Sequence, residues 1–137
     1  MTFDAERVAL EMIAAVRGPL ERLEQRNRAQ ADQARRAAAS VAHNLSEGRR
    51  RAGRDRTFFW RTSAGSAAEL RTALAIALAW GWLSVEELRP VGALLDRILA
   101  MTWRLVHPSR GGTTSEEPRA DGEAPAVRKK IDPVRGS

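Results

Sequence analysis

Apolar side chains recur at three- and four-residue steps along most of the chain. Ala5, Val8, Met12, Val16, Leu20 and Leu23 draw one stripe, the spacing of one face of an α-helix. Gly18 and Pro19 interrupt it. Proline removes a helical hydrogen bond, yet the stripe continues in register, so the pattern predicts a helix from about Asp4 with a kink. Asn27 and Gln30 have capping-box spacing and predict a second helix from Arg28. Its inward positions are Ala34, Ala37, Ala38, Val41 and Leu45. Such a small-residue face predicts a closely packed central helix. Gly48 is read as its stop, Gly53 as loosening the turn, and Asp55 as the cap of a third helix.

The third helix carries two stripes: Phe59, Thr62, Ser66, Leu70, Ala73 and Ala77, and Trp60, Ala64, Ala67, Leu74 and Leu78. From Ala73 to Trp80 it is apolar on every side. A helix of that kind is covered on every side, and one small bundle covers a single face. The pattern therefore predicts self-association, with Trp60, Ile76, Trp80 and Trp82 as interface candidates. Ser84 and Glu87 form a second capping box, followed by Leu88, Val91, Leu95, Ile98, Thr102 and Leu105, with Pro108 as a stop. The expected fold is all-α, an antiparallel up-down four-helix bundle over residues 1–107. Residues 108–137 are rich in Pro, Gly, Ser and charge. They are expected to form a disordered tail, because they offer little apolar surface to offset the entropy of ordering.

Composition narrows the chemistry. There is no cysteine, which excludes disulfides and thiolate zinc sites. No uncharged apolar run approaches the ~18 residues of a membrane span, and the first turn, with Asp4, Glu6 and Arg7, lacks a signal-peptide pattern. The expectation is a soluble, cytoplasmic protein. Ser40, His43 and Glu47 lie three and four apart on one helix. They suggest a triad, but all project in one direction and no oxyanion loop accompanies them. His43 and Glu47 are too few for a metal. No catalytic residue, metal site or cofactor is expected.

Two segments carry a resemblance. QARRAAASVAHNLSEG, residues 33–48, is similar to the signature Q-x-R-R-A-x-x-S-[IV]-x-x-N-[IL]-x-E-G. SAGSAAELRTALAIALAWGWL, residues 63–83, is similar to A-x-G-S-x-x-E-[LT] followed by an apolar stretch that ends at glycine. Together they resemble the four helix bundle protein family, also called the 23S rRNA-intervening sequence protein family, over roughly residues 5–106. The resemblance implies a homopentamer of four-helix protomers. It also implies distant kinship with the accessory variability determinants of diversity-generating retroelements, which bind nucleic acid and partner a reverse transcriptase. Those relatives usually lack the N-x-x-E-G motif present here as Asn44, Glu47 and Gly48. The motif residues Asn44, Glu47, Gly48, Gly65, Ser66 and Glu69 are expected to maintain the fold. Gly65 and Ser66 would permit close backbone approach, and Asn44 and Glu47 would reach Ser66 or a neighbouring arginine.

Net charge is +6. Residues 1–107 hold 17 basic and 12 acidic side chains, and the segment from Arg49 to Arg61 holds six and one. That short segment equals the surplus of the whole helical part. Arginines recur at sevens, two helical turns: Arg28, Arg35 and Arg49, and Arg36 and Arg50 with His43 between them. Arg54 and Arg61 repeat the step on the third helix. Arg35, Arg36, Arg49, Arg50, Arg51, Arg54 and Arg61 are thus candidates for holding a phosphate backbone. Arg49 is placed to pair with Glu47, and Arg56 to brace the third helix. Phe58, Phe59 and Trp60 are assigned by periodicity to core or interface rather than to base stacking. Two functions follow. The first is a non-enzymatic oligomer binding nucleic acid, with RNA favoured by the resemblance. The alternative is a scaffold that docks a protein such as a reverse transcriptase.

Overall fold

The computed structural model describes residues 3–108, and within them four helices. They are α1 (Asp4–Arg26), α2 (Arg28–Arg49), α3 (Gly53–Ala79) and α4 (Val85–Val106). Apart from Pro108, the expected tail lies outside the described residues. No described helix is long and apolar enough to cross a membrane.

Local chemistry sets most of the boundaries. Asn27 stands between α1 and α2, and its side chain accepts the Gln30 N–H at 2.9 Å. The Gln30 amide does not turn back to complete a box; it donates to the Ala73 carbonyl on α3 at 3.1 Å. At α4 both halves form: the Glu87 N–H donates to Ser84 Oγ and the Ser84 N–H to Glu87 Oε1. α3 ends in a Schellman motif. Gly81 adopts φ 79°, its N–H donates to the Leu78 carbonyl, and the Trp82 N–H donates to that of Ala77. A side chain at Gly81 would be strained, since φ > 0 favours glycine.

α1 runs unbroken through Gly18 and Pro19, as the in-register stripe predicts, and buries Val16, Pro19 and Leu20 together. Two expectations are corrected. α2 continues past Gly48 to Arg49, with Gly48 helical and buried. α3 starts two residues before Asp55, and Ala52, with no side-chain cap, occupies the N-cap position. Asp55 lies instead in the first turn, where a carboxylate suits the helix dipole.

Each helix packs on its neighbours in the chain, and α4 returns to α1. Contacts between α2 and α3 run in opposite senses: Gln30 meets Ala73, Ser40 meets Ser66, Val41 meets Ser63 and Leu45 meets Trp60. Those between α1 and α2 do likewise, with Glu24 on Arg35 and Glu6 on Arg49. Both pairs are therefore antiparallel. The core is filled by Met12, Leu23, Leu45, Leu70, Leu95 and Ile98. Across the seam between α2 and α3 small side chains meet instead: Ser40 meets Ser66, and buried Ser63 reaches the backbone at Val41. This is the close approach that the alanine face of α2 predicts.

Candidate nucleic-acid interface

The arginine segment sits at the corner where α2 passes into α3. Gly53, at φ 59°, reverses the chain there. Arg56 ties the corner: its Nε donates to the Gly48 carbonyl at 3.1 Å and its Nη2 to that of Arg49 at 2.9 Å. These carbonyls lie in the last turn of α2, so a cation stabilises the negative end of that helix. The Arg56 guanidinium also lies 5.2 Å from the centroid of Trp60. The brace predicted for Arg56 is thus a clamp on α2.

Beneath the corner lies Trp60, which is 9% exposed. Its indole N–H donates to the Leu45 carbonyl, and its ring stacks on Phe3 at 5.8 Å. It presses on the backbone of Gly48, where an added Cβ would stand 2.5 Å from Trp60 Cδ1. Gly48 is therefore glycine for the sake of Trp60, not as a helix stop. Trp60 is buried within its own protomer, which removes it from the candidate self-association surface. Ile76, 40% exposed, and Trp80, 69% exposed, remain there, with half-buried Trp82 stacked on Trp80 at 5.5 Å.

The candidate arginines divide into two groups. Arg35 pairs with Glu24 at 2.6 Å and Asp32 at 3.3 Å. Arg49 pairs with Glu6 at 3.8 Å, not with Glu47, and its guanidinium is 6.0 Å from the Phe3 ring. Glu47 instead accepts from Arg50 at 2.7 Å and Arg51 at 2.8 Å. Arg51 also reaches Asp55 and lies 5.0 Å from the Phe59 ring. The hydrogen bond from Arg51, assisted by Arg50, holds the Glu47 carboxyl below its ordinary value against a smaller opposing effect of burial. The second group is Arg36, Arg54 and Arg61. All three are exposed and have no acidic partner among the described residues. Exposed ion pairs are worth at most ~1 kcal/mol, so the first group remains open to a competing phosphate.

Of the motif residues, Asn44 and Ser66 meet along the α2–α3 seam. Asn44 Nδ2 donates to the Ser40 carbonyl at 2.8 Å and to Ser40 Oγ at 2.9 Å, and Ser40 Oγ shares a 2.7 Å hydrogen bond with Ser66 Oγ. Asn44 thus reaches Ser66 through Ser40. Ser63, which periodicity missed, donates from full burial to the Val41 carbonyl at 2.8 Å. Gly65 does not serve close approach within the protomer: it is exposed, with open space where its Cβ would stand. Glu69 is also exposed. Ser40, His43 and Glu47 form no triad, since Ser40 turns to Asn44 and Ser66 while Glu47 turns to arginines. Among the described residues no group of three or more His, Asp or Glu could hold a metal ion.

Periodicity assigns Phe58 to a core or an interface; it is 62% exposed within the protomer, which excludes the core. It leans edge-on against Phe59, with centroids 5.2 Å apart and planes at 79°.

Comparison with known proteins fits this architecture. The crystal structure of a protein of unknown function from the S23 ribosomal protein family of Bacteroides thetaiotaomicron has the same fold. The TM-score is 0.70 at 15% identity, covering 74% of this chain and 97% of that one. No curated protein sequence matches significantly. Residues 5–104 match the family described as 23S rRNA-intervening sequence protein. Neither that description nor the solved structure carries a sign of catalysis. With the match reaching into all four helices, the chain belongs to the 23S rRNA-intervening sequence protein family.

Proposed function

We propose that the protein is a non-enzymatic, self-associating four-helix bundle that binds RNA through its exposed arginines. The observation that carries this reading is the set of Arg36, Arg54 and Arg61, exposed and without acidic partners among the described residues. Uncompensated guanidinium groups hold phosphates bidentately and release counterions from a nucleic-acid backbone. Arg35, Arg49, Arg50 and Arg51, whose surface pairs are weak, are further candidate contacts. The family's description refers to 23S rRNA, which favours RNA over DNA. Self-association, as the pentamer that the sequence resemblance implies, would repeat the arginines once per protomer.

A second reading, a scaffold for another protein such as a reverse transcriptase, is favoured by the apolar groove between α1 and α2. Leu10, Ile13, Val16 and Leu20 line it, and Leu10 is exposed. The two readings separate in a fluorescence-anisotropy titration of labelled RNA across a salt series. The parent is expected to bind with a steep salt dependence. Changing Arg36, Arg54 and Arg61 together to glutamine is expected to weaken binding and to flatten the slope by about 0.7 per lost contact on a single strand. Helix content stays unchanged, since none of the three holds the fold. Equal binding by parent and triple variant rejects the arginine reading.

A further inference from the structure

Resting on the RNA-binding reading, we propose that Phe58, flanked by Arg54 and Arg61, is a ridge on which one unpaired base of a single-stranded RNA stacks. The three residues occupy positions i, i+4 and i+7 of α3, which places them on one strip of the helix. The strip spans about 10 Å along the axis, at roughly 1.5 Å per residue. Phe58 serves no core: at 62% it is among the most exposed large apolar side chains of the protomer. Its edge-on contact with Phe59 holds it beside a ring that itself carries the Arg51 guanidinium. The neighbouring aromatics are occupied, Trp60 by Phe3 and Arg56, and Phe59 by Arg51. Phe58 alone of the three stands out from the surface.

Charge favours one occupant of this ridge. A protein seated on Phe58 would have to bring a carboxylate for each of Arg54 and Arg61, which have no acidic partner among the described residues, because unpaired buried charge is costly and interface centres are depleted of it. A polyanion meets the same two cations favourably. Duplex RNA, in turn, keeps its bases stacked inside a helix whose deep, narrow major groove admits no side chain. A single strand offers free base faces to an aromatic ring and phosphates to the arginines on either side. Stacking of this kind tolerates any base, because every base has a π-face.

The experiment uses the full-length protein and two probes: a labelled single-stranded RNA of about 12 nucleotides, and a blunt RNA duplex of equal length. Phe58→Leu keeps an apolar helix former and removes the ring; Phe58→Tyr keeps the ring. Phe58→Leu is expected to lower single-strand affinity about tenfold and to leave duplex affinity, salt slope and light-scattering mass unchanged. Phe58→Tyr is expected to bind as the parent does. If Phe58→Leu binds the single strand as tightly as the parent, while the triple arginine variant still loses affinity, the stacking ridge is wrong and the arginine reading stands. A parent that binds neither probe overturns both. A change of particle mass in Phe58→Leu identifies the ridge as a protein contact and overturns the stacking proposal.

Discussion

Gly48 and Glu47 are adjacent, yet they act by unlike physics. Gly48 is a matter of space, since a Cβ there would meet Trp60 Cδ1 at 2.5 Å, Nε1 at 2.6 Å and the Arg56 carbonyl at 3.2 Å. The indole cannot retreat easily, because Phe3 stacks on it and the Leu45 carbonyl holds its N–H. Gly48→Ala is expected to destabilise the fold by about 1–3 kcal/mol, the usual range for overpacking, despite alanine's better helix propensity. Urea denaturation followed by circular dichroism measures it, and a variant as stable as the parent shows that the corner yields. Glu47 is a matter of charge. Its folded-state pKa is lowered by Arg51 and Arg50, so its contribution is present above the ordinary glutamate range and is lost as pH falls through the lowered value. Melting curves of the parent and Glu47→Gln should therefore differ at neutral pH and converge in acid. A difference that persists below the glutamate range would mean that the amide loses more than a charge.

At the scale of elements, the crossing of α2 and α3 rests on side chains small enough to bring the backbones together. Ser63 is fully buried and donates to the Val41 carbonyl. Ser63→Ala is expected to cost about 1 kcal/mol, the net worth of one hydrogen bond. Ser63→Leu is expected to cost clearly more, because α2 leaves no volume for it. If chemical denaturation shows leucine tolerated as well as alanine, the seam is looser than its hydrogen bonds imply. The helices themselves were legible in the sequence, because caps and stripes are local. Asn27 and the Ser84–Glu87 pair needed only residues within one turn. The corner was not legible. Trp60 is buried by Phe3, Leu45 and Gly48, which come from two other parts of the chain. Arg49 is neutralised by Glu6 on α1, and Arg35 by Glu24 on the same helix. Counting charge along the chain could not foresee that pairing across helices would leave Arg36, Arg54 and Arg61 as the open members of the candidate set. Periodicity left Phe58 between a core and an interface, and its exposure in the protomer removes only the core.

For the whole molecule, the apolar circumference of α3 makes a demand that one protomer does not meet. The bundle covers Ala73, Leu74 and Ala77 but leaves Ile76, Leu78 and Trp80 exposed. Trp80 stacks on Trp82 in parallel planes 12° apart, which broadens the apolar surface at the end of the helix. Along the outward side between Arg61 and Trp80, the exposed residues Gly65, Ala68, Thr72, Ala75 and Ala79 are small, so another helix could approach closely there. Self-association through this face would account for both features, and for the open space at Gly65. Light scattering of the parent at micromolar concentration is expected to give a multiple of 15.1 kDa, and a pentamer gives five. Ile76→Glu and Trp80→Glu place a carboxylate where an interface would strip its water, a penalty of several kcal/mol. In a lone protomer the same side chains point to solvent and cost little. Both variants are therefore expected to stay helical and fall to a smaller particle. A parent already at 15.1 kDa, or variants that keep the parent's mass, would remove α3 from the interface.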